Sequence, residues 1–356
     1  MPHPLSSAIR VQVGPANAFS YPGAYERLGE FFTPAELAAA LWIGGRRATV
    51  AASPFLPPEF HGAGDRRLLV QGHCTESLVA SLAARVGTGP VIGLGGGSAL
   101  DTAKAVAVRT GRRFVALPTI AATCAAWTPL SVWYDDAGHA LQFELFPQGA
   151  FLTLVEPRIL AAAPAEYLAA GIGDTLAKWY EAAVLVQGVD PLPLTARLGL
   201  DISRTIRDLL LEKGAAALAA NRRGQPDAAF VDVVDAVIAA GGSVGGFGER
   251  FTRVAAAHAV HNGLTLLPET ETVLHGAKVA FGILVQLALQ GDFAERDLLR
   301  RAYADLGLPA RWTDLGLKLD DPRIDAVVAK TLLPHESIHA LPFPVTPTAL
   351  KEALRA

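Results

Sequence analysis

Two sets of residues in this chain have the types and spacing for chemistry. One is a run of glycines in the first half; the other is a set of carboxylate and imidazole groups in the second. The run lies in Val91–Ala107, VIGLGGGSALDTAKAVA. Val91 and Ile92 read as the end of a buried strand, and Ala99–Ala107 as an Ala-rich helix. Between them Gly93, Gly95, Gly96 and Gly97 permit a tight turn and let a ligand approach bare backbone. A helix opening behind such a turn offers unpaired N–H groups and a positive dipole end, which suits phosphate or pyrophosphate. It is not a P-loop, because no Gly-Lys-Ser/Thr stands at the required offset. Nor is it the Rossmann fingerprint, because Ser98 stands where G-x-G-x-x-G has its last glycine. The run reads as a diphosphate cradle of another kind.

The second set is spread over three pieces. In Gly171-Ile172-Gly173-Asp174 a lone carboxylate interrupts an apolar helix. Ala255–Gly263, AAAHAVHNG, puts His258 and His261 three apart on one helix face. Leu274-His275-Gly276 supplies a further imidazole. Histidine is the commonest protein ligand for zinc, and one Asp with two His leaves a coordination position for substrate. Spacing alone does not bring three distant segments together. Taken singly, each histidine suits a hydrogen-bonded core position better than a ligand position.

The elements that must position these groups change in texture along the chain. Ile9–Val13, Leu41–Ile43, Arg67–Val70, Val91–Gly93, Phe114–Leu117 and Phe151–Val155 read as strands. Ser131–Tyr134 and Gln142–Phe146 are lesser ones. Helices at Ala24–Phe32 and Glu76–Arg85, the latter opened by Thr75, fall between strands, so the pattern is a parallel sheet covered on both faces. After Pro157 the apolar spacing turns helical: Ala165–Val186, Thr195–Leu211, Val231–Ala240, Thr252–Asn262, Thr270–Leu289, Phe293–Leu306, Asp325–Leu333 and Pro347–Leu354. We expect an α/β domain carrying the diphosphate cradle over 1–160 and an all-α domain carrying the carboxylate and imidazole groups over 161–356. No internal repeat is visible.

Composition bounds the function. The chain has 356 residues, half of them apolar, and a net charge of −3 with interspersed signs. Nothing here calls for nucleic acid or an anionic membrane. Cys74 and Cys124 have no paired spacing, which fits a reducing compartment without disulfides or a Cys-based zinc site. The start, MPHPLSSAIRVQVG, lacks the features of a signal peptide, and Phe114–Tyr134, though uncharged over more than 18 residues, carries Pro118 and Pro129. The expectation is a cytoplasmic protein with a small-molecule substrate.

The motifs jointly resemble the iron-dependent alcohol dehydrogenase superfamily, in its glycerol-dehydrogenase-like branch. The resemblance rests on GLGGGSALDTAKA, PTIAAT at Pro118–Thr123, SVWY at Ser131–Tyr134, GIGDTLAKWYEA at Gly171–Ala182, AAAHAVHNG and LHGAKVAFG, and continues to ESIHALPFPVTP, so it spans nearly the whole chain. Within the branch it is greatest to bacterial hydroxycarboxylate dehydrogenases. It implies a dehydroquinate-synthase-like fold, with an α/β dinucleotide-binding domain over 1–160, an all-α metal-binding and substrate domain over 161–356, and a nicotinamide cofactor and one divalent metal meeting in the cleft between them. It assigns the metal to Asp174, His258 and His275, and makes His261 a neighbour of the metal or a proton-transfer residue. It assigns cofactor contacts to Gly95, Gly96, Gly97, Ser98, Asp101, Thr119, Thr123, Thr128, Leu130 and Tyr134. It also implies a homo-oligomer.

Two departures from the glycerol dehydrogenase pattern bear on function. Cys124 stands where that pattern has an Asp that helps to hold the polyol. Gly45, followed by Arg46 and Arg47, stands where it has an acidic residue after the second strand. An acidic residue there binds the ribose 2′-OH, whereas an Arg accommodates a 2′-phosphate, so NADP(H) is expected ahead of NAD(H). Lys178, one helical turn after Asp174, adds a positive charge on the same face, where the pattern has an uncharged residue. A lost carboxylate and a gained ammonium both favour a substrate with its own carboxylate. The expected reaction is NADPH-dependent reduction of 2-oxo acids such as 2-oxoglutarate and 2-oxobutanoate, with Lys178 or an arginine such as Arg253 near the carboxylate. Lys178 and Cys124 are thus counted with His261 among the reacting-site residues. Zinc is expected ahead of iron, although Asp/His/His ligands suit either. NAD-dependent polyol oxidation and a lyase of the same fold are the alternatives. Trp127 is read either as narrowing the cleft or as packing.

Overall fold

The computed structural model describes residues 9–356; of the stretch MPHPLSSAIRVQVG, the first eight residues lie outside the described residues. The chain divides into two compact units. One comprises Gln12–Pro164 with Ala219–Gly242, the other Ala165–Leu218 and Ser243–Ala356 with the described residues before Gln12. A single cut near residue 160 therefore does not describe the division, because the segment around 219–242 packs with the sheet.

The first unit is built on six parallel strands: β1 (Asn17–Ser20), β2 (Leu41–Gly44), β3 (Arg67–Leu69), β4 (Val91–Gly95), β5 (Phe114–Pro118) and β8 (Leu152–Val155), in the order β1-β8-β5-β4-β2-β3. Strands β4, β5 and β8 are buried along their whole length, which is why they read as apolar runs without alternation. Between β5 and β8, β6 (Leu130–Tyr134) and β7 (Ala140–Leu145) form a separate antiparallel pair. The expected strand at Ile9–Val13 is absent and the first strand begins at Asn17. Val11 is exposed, so the alternation there has no buried face, whereas Asn17–Ser20 pairs in register with Leu152–Val155. At the carboxyl ends of β1 and β8 the buried Glu156 accepts hydrogen bonds from Gly23 N (2.6 Å) and from the Arg158 guanidinium (2.7 and 2.8 Å), tying the two exits together.

Helix α1 (Arg46–Ala52) follows β2 directly, α2 (Glu76–Ala83) is capped by Thr75, and α3 (Gly97–Thr110) follows β4. Helix α1 has no counterpart among the helices expected from the sequence. The chain continues as α4 (Ala165–Leu185), α5 (Leu194–Arg222), α6 (Ala228–Asp235), a π-helical turn over Ala236–Ala240, and α7 (Gly241–Gly248). It ends with α8 (Ala256–Leu264), α9 (His275–Gln290), α10 (Phe293–Leu306), α11 (Ile324–Thr331) and α12 (Pro347–Arg355). Val260, Leu264, Phe281, Val285, Trp312 and Leu350 are among the buried residues that pack around α8 and α9. The stretch Ala228–Phe251 is long and apolar enough to cross a membrane, but 56% of its most apolar window is buried within the protein, as befits a core element.

Candidate functional site

The glycine turn sits at the carboxyl edge of the sheet, where the strand order reverses between β2 and β4 and ligands of open α/β sheets bind. Its glycines have different tasks. A Cβ on Gly93 would lie 2.8 Å from Ala103 Cβ, so this glycine lets α3 close on β4. Gly95 has φ +146, a conformation that L side chains rarely adopt. A Cβ on Gly96 would meet Ile120 at 2.6 Å, and one on Gly97 would meet Thr123 Oγ1 at 3.4 Å. Thr119 N donates to Gly95 O at 3.1 Å, so the turns after β4 and β5 lie side by side and bring Thr119 and Thr123 to the cradle. Ser98 is exposed at the opening of α3, which has no side-chain cap. Its first N–H groups are available to an anion.

Across the β2–β4 pair, Gly45 caps α1 in an extended conformation with open space at its Cβ position, and Arg46 and Arg47 are exposed beside it. Asp101, expected at the cofactor, is turned inward instead. It is buried, with Oδ1 3.3 Å from Lys104 Nζ and Oδ2 accepting from Val132 N at 3.2 Å. Lys104, itself buried, also donates to the carbonyls of Ala125 and Leu130. The pair thus anchors the start of β6 to α3. Tyr134 lies at the other end of β6, stacked on His73 at 4.2 Å. Half-buried Thr128 turns its hydroxyl to the carbonyl of Cys124 (3.4 Å), and Cys124 is half-buried in the same loop. Trp127 fills a niche at Gly14 and Gly242 and donates to Val13 O at 2.8 Å, a packing role.

In the helical unit, Asp174, His258 and His275 converge, each offering a ligand atom within 4.8 Å of the others. His258 Nε2 lies 3.5 Å and His275 Nε2 3.2 Å from Asp174 Oδ1, yet that buried oxygen accepts no hydrogen bond among the described residues. Unpaired buried oxygens are costly, and a cation between the three groups removes the deficit. The donor set therefore fits a divalent metal. His275 leaves one side open, its side chain 43% exposed, as a catalytic rather than a purely structural site requires.

Glycines beside the three donor residues let the helices meet. A Cβ on Gly276 would lie 1.9 Å from Ala170 O, one on Gly173 2.6 Å from Gly276 O, and one on Gly282 2.3 Å from Ala257 O. Side chains then fix α8. Its opening N–H groups find no cap in their own segment. Glu181 from α4 accepts from Ala255 N (2.7 Å) and His258 N (3.1 Å), and Gln286 from α9 accepts from Ala256 N (3.2 Å) and Ala257 N (3.3 Å). Glu181 also takes His258 Nδ1 at 2.6 Å. Both side chains are fully buried. The sequence patterns assign neither a role; a Glu seven residues after Asp174 on the same helix face is the available signal.

The electrostatics favour positive charge here. Burial works to raise Asp174, but the Lys178 charge and the two imidazoles hold it well below the usual carboxylate range. Burial opposes charge on His258, yet Glu181 and Asp174 push it up to about 9. Burial and the neighbouring His275, Lys278 and His258 drive His261 well below its ordinary value. His261, expected as a proton-transfer residue, has both ring nitrogens committed: Nε2 to His275 Nδ1 at 3.0 Å and Nδ1 to Asn262 Oδ1 at 3.1 Å. Lys178 is half-buried one turn from Asp174, and half-buried Arg253 packs over Gly245.

The chain thus carries a glycine turn at the carboxyl edge of a parallel sheet and an Asp/His/His cluster in a helical unit. Residues 15–153 match the family described as iron-containing alcohol dehydrogenase. The chain is 55% identical to hydroxycarboxylate dehydrogenase A of Escherichia coli strain K12, over 100% of this chain and 98% of that one. It is 36% identical to a glycerol dehydrogenase of Thermotoga maritima, over 80% of this chain and 79% of the relative. The crystal structure of a probable glycerol dehydrogenase from Sinorhizobium meliloti superposes with a TM-score of 0.81 at 30% identity, covering 97% of each chain. The chain belongs to the iron-containing alcohol dehydrogenase family, in its glycerol-dehydrogenase-like branch, and is an oxidoreductase acting on alcohol or hydroxy groups.

Proposed function

We propose that the enzyme reduces 2-oxo acids, with 2-oxoglutarate and 2-oxobutanoate as candidates, to 2-hydroxy acids with NADPH, using one divalent cation held by Asp174, His258 and His275. The observation that carries this reading is the unpaired buried Asp174 oxygen facing two imidazoles, with Lys178 placing an ammonium one turn away on the same helix. The name of the 55% identical relative supports the substrate class. When bound, the cation, proposed to be zinc, supplies Lewis-acid polarisation of the keto oxygen, and the nicotinamide supplies the hydride.

The chain's own residues do the rest. Gly95, Gly96, Gly97 and Ser98 present bare backbone and the opening of α3 to the diphosphate, flanked by Thr119 and Thr123. Thr128, Leu130 and Tyr134 are proposed as more distant contacts on the same unit. Gly45 leaves room for a 2′-phosphate, and Arg46 and Arg47 meet it with charge-assisted hydrogen bonds. Lys178, with Arg253, draws the substrate carboxylate toward the cation. Cys124 stands where the glycerol dehydrogenase pattern has an Asp, and a carboxylate repels an anionic substrate by roughly 1 kcal/mol or more in a partly dehydrated pocket. Two cysteines without a disulfide agree with a cytoplasmic location, and a homo-oligomer is proposed from the family resemblance.

The test is steady-state kinetics of the zinc-loaded enzyme with NADPH and NADH across oxo acids, uncharged ketones and glycerol. We expect kcat/KM to be highest for a 2-oxo acid with NADPH. Lys178→Met is expected to raise KM for the oxo acid more than for an uncharged ketone of similar size. Far better turnover of glycerol with NAD would overturn the substrate assignment.

A further inference from the structure

The cation reading says which atoms hold the metal; it leaves open what keeps a lone pair, rather than a proton, on each imidazole Nε2. Metal binding needs that tautomer. For His258 the answer is direct. Glu181 Oε2 lies 2.6 Å from Nδ1, and a carboxylate only accepts, so Nδ1 keeps a proton and the one given up when the ring takes a metal is the proton on Nε2, facing Asp174.

For His275 the partner on Nδ1 is another imidazole, His261 Nε2 at 3.0 Å, and a pair of imidazoles has no inherent direction. The direction comes from further along. The Glu336 side chain is 7% exposed, and its Oε2 lies 2.9 Å from Asn262 Nδ2. Because the carboxylate accepts, the Asn262 amide must turn its NH₂ toward Glu336 and its oxygen toward His261. That oxygen, 3.1 Å from His261 Nδ1, accepts, so the His261 proton is on Nδ1 and its Nε2 carries a lone pair. His261 Nε2 then accepts from His275 Nδ1–H, and His275 Nε2 is left bare, 3.2 Å from Asp174 Oδ1.

We infer that Glu336, acting through Asn262 and His261, fixes the metal-binding tautomer of His275, as Glu181 does directly for His258. His261 is then a positioning residue. With its one proton donated to Asn262 and its Nε2 accepting, it has none to give to a substrate. This inference rests on the proposed cation site, and its test reads zinc binding and ring protonation without turnover.

The experiment has two arms. In the first, long-range nitrogen–proton NMR of histidine-labelled wild-type protein, metal-free and zinc-loaded, assigns the ring tautomers. We expect His261 to be protonated on Nδ1 in both forms, and His275 on Nδ1 in the zinc form. A His261 protonated on Nε2 would overturn the inference. In the second arm, zinc affinity is measured by titration calorimetry for Asn262→Asp, Glu336→Gln and the double swap. Asn262→Asp sets two carboxylates against each other, and Glu336→Gln removes the element that gives direction. Each is expected to weaken zinc binding by about tenfold. In the double swap the new carboxylate at position 262 accepts from His261, and the new amide at position 336 donates to that carboxylate. The original direction returns, and most of the affinity with it. A Glu336→Gln variant that binds like wild type, or a swap no better than Glu336→Gln alone, would overturn the inference. Should a variant fail to fold, the wild-type NMR arm decides. Failure of the wild type to bind zinc would instead overturn the cation site, while the metal-free spectra still report the direction of the chain.

Discussion

The glycine turn and the Asp174 cluster, the proposed diphosphate and cation sites, are built by opposite means. At the turn the working surface is backbone, glycines make room for it, and the charged side chains beside it are exposed. At the cluster the working atoms are on side chains, three helices touch at glycines, and each imidazole is held by a further buried group. The turn is written in consecutive residues, and its close contacts with Ala103 and Ile120 depend on its glycines. The cluster is assembled from three distant segments, so residues that are not among its donors, such as Gly276 and Glu181, bear on whether it forms.

That contrast can be broken or sharpened by substitution. The largest effect is expected from Gly276→Ala, whose Cβ would lie 1.9 Å from Ala170 O. Overpacking of this kind costs up to about 3 kcal/mol. Denaturant unfolding should show the loss, and elemental analysis should show reduced metal content. Glu181→Gln cannot accept from His258 Nδ1 and from both backbone N–H groups as the carboxylate does. It is expected to weaken zinc binding by roughly ten- to a hundredfold, read by competition with a chelator.

Glu156 offers a test away from both sites. Its burial raises its pKa, but the Arg158 pairing and the Gly23 N–H outweigh that and hold it below the ordinary value of 4.5. Its contribution to stability is therefore present above the unfolded pKa and lost as pH falls through the lower folded value. Glu156→Gln should cost about 1.5 kcal/mol at pH 7, with the gap from wild type closing as pH drops below 4.5. Gly45→Asp combined with Arg46→Ala should move the NADPH/NADH preference toward NADH by about tenfold, equivalent to about 1.4 kcal/mol. An unchanged ratio would remove Gly45 and Arg46 from the 2′-phosphate assignment. The smallest effect belongs to Gly45→Ala, where nothing lies within 4 Å of the new methyl group. Its stability should stay within about 0.5 kcal/mol of wild type.

Local patterns in the sequence carried the sheet and the helical second half, because buried parallel strands and long amphipathic helices leave period and composition as their signature. They failed where contacts decide: Ile9–Val13 alternates but has no ladder partner, and α1 forms where no helix is expected. The ligand types were visible in Asp174, His258 and His275, though only the resemblance joined them. Asp101 looked like a cofactor contact because it stands in the glycine motif, yet it is spent on Lys104 and Val132. Glu181, Gln286 and Glu336 stayed hidden, because a buried polar residue gains its role from a partner dozens of positions away.

The most direct test of the account is metal content and activity measured together on wild type, Asp174→Asn and His275→Ala after chelation and reconstitution with zinc. The account expects one zinc per wild-type chain, with metal and turnover lost together in both variants. Full zinc occupancy in His275→Ala would contradict it.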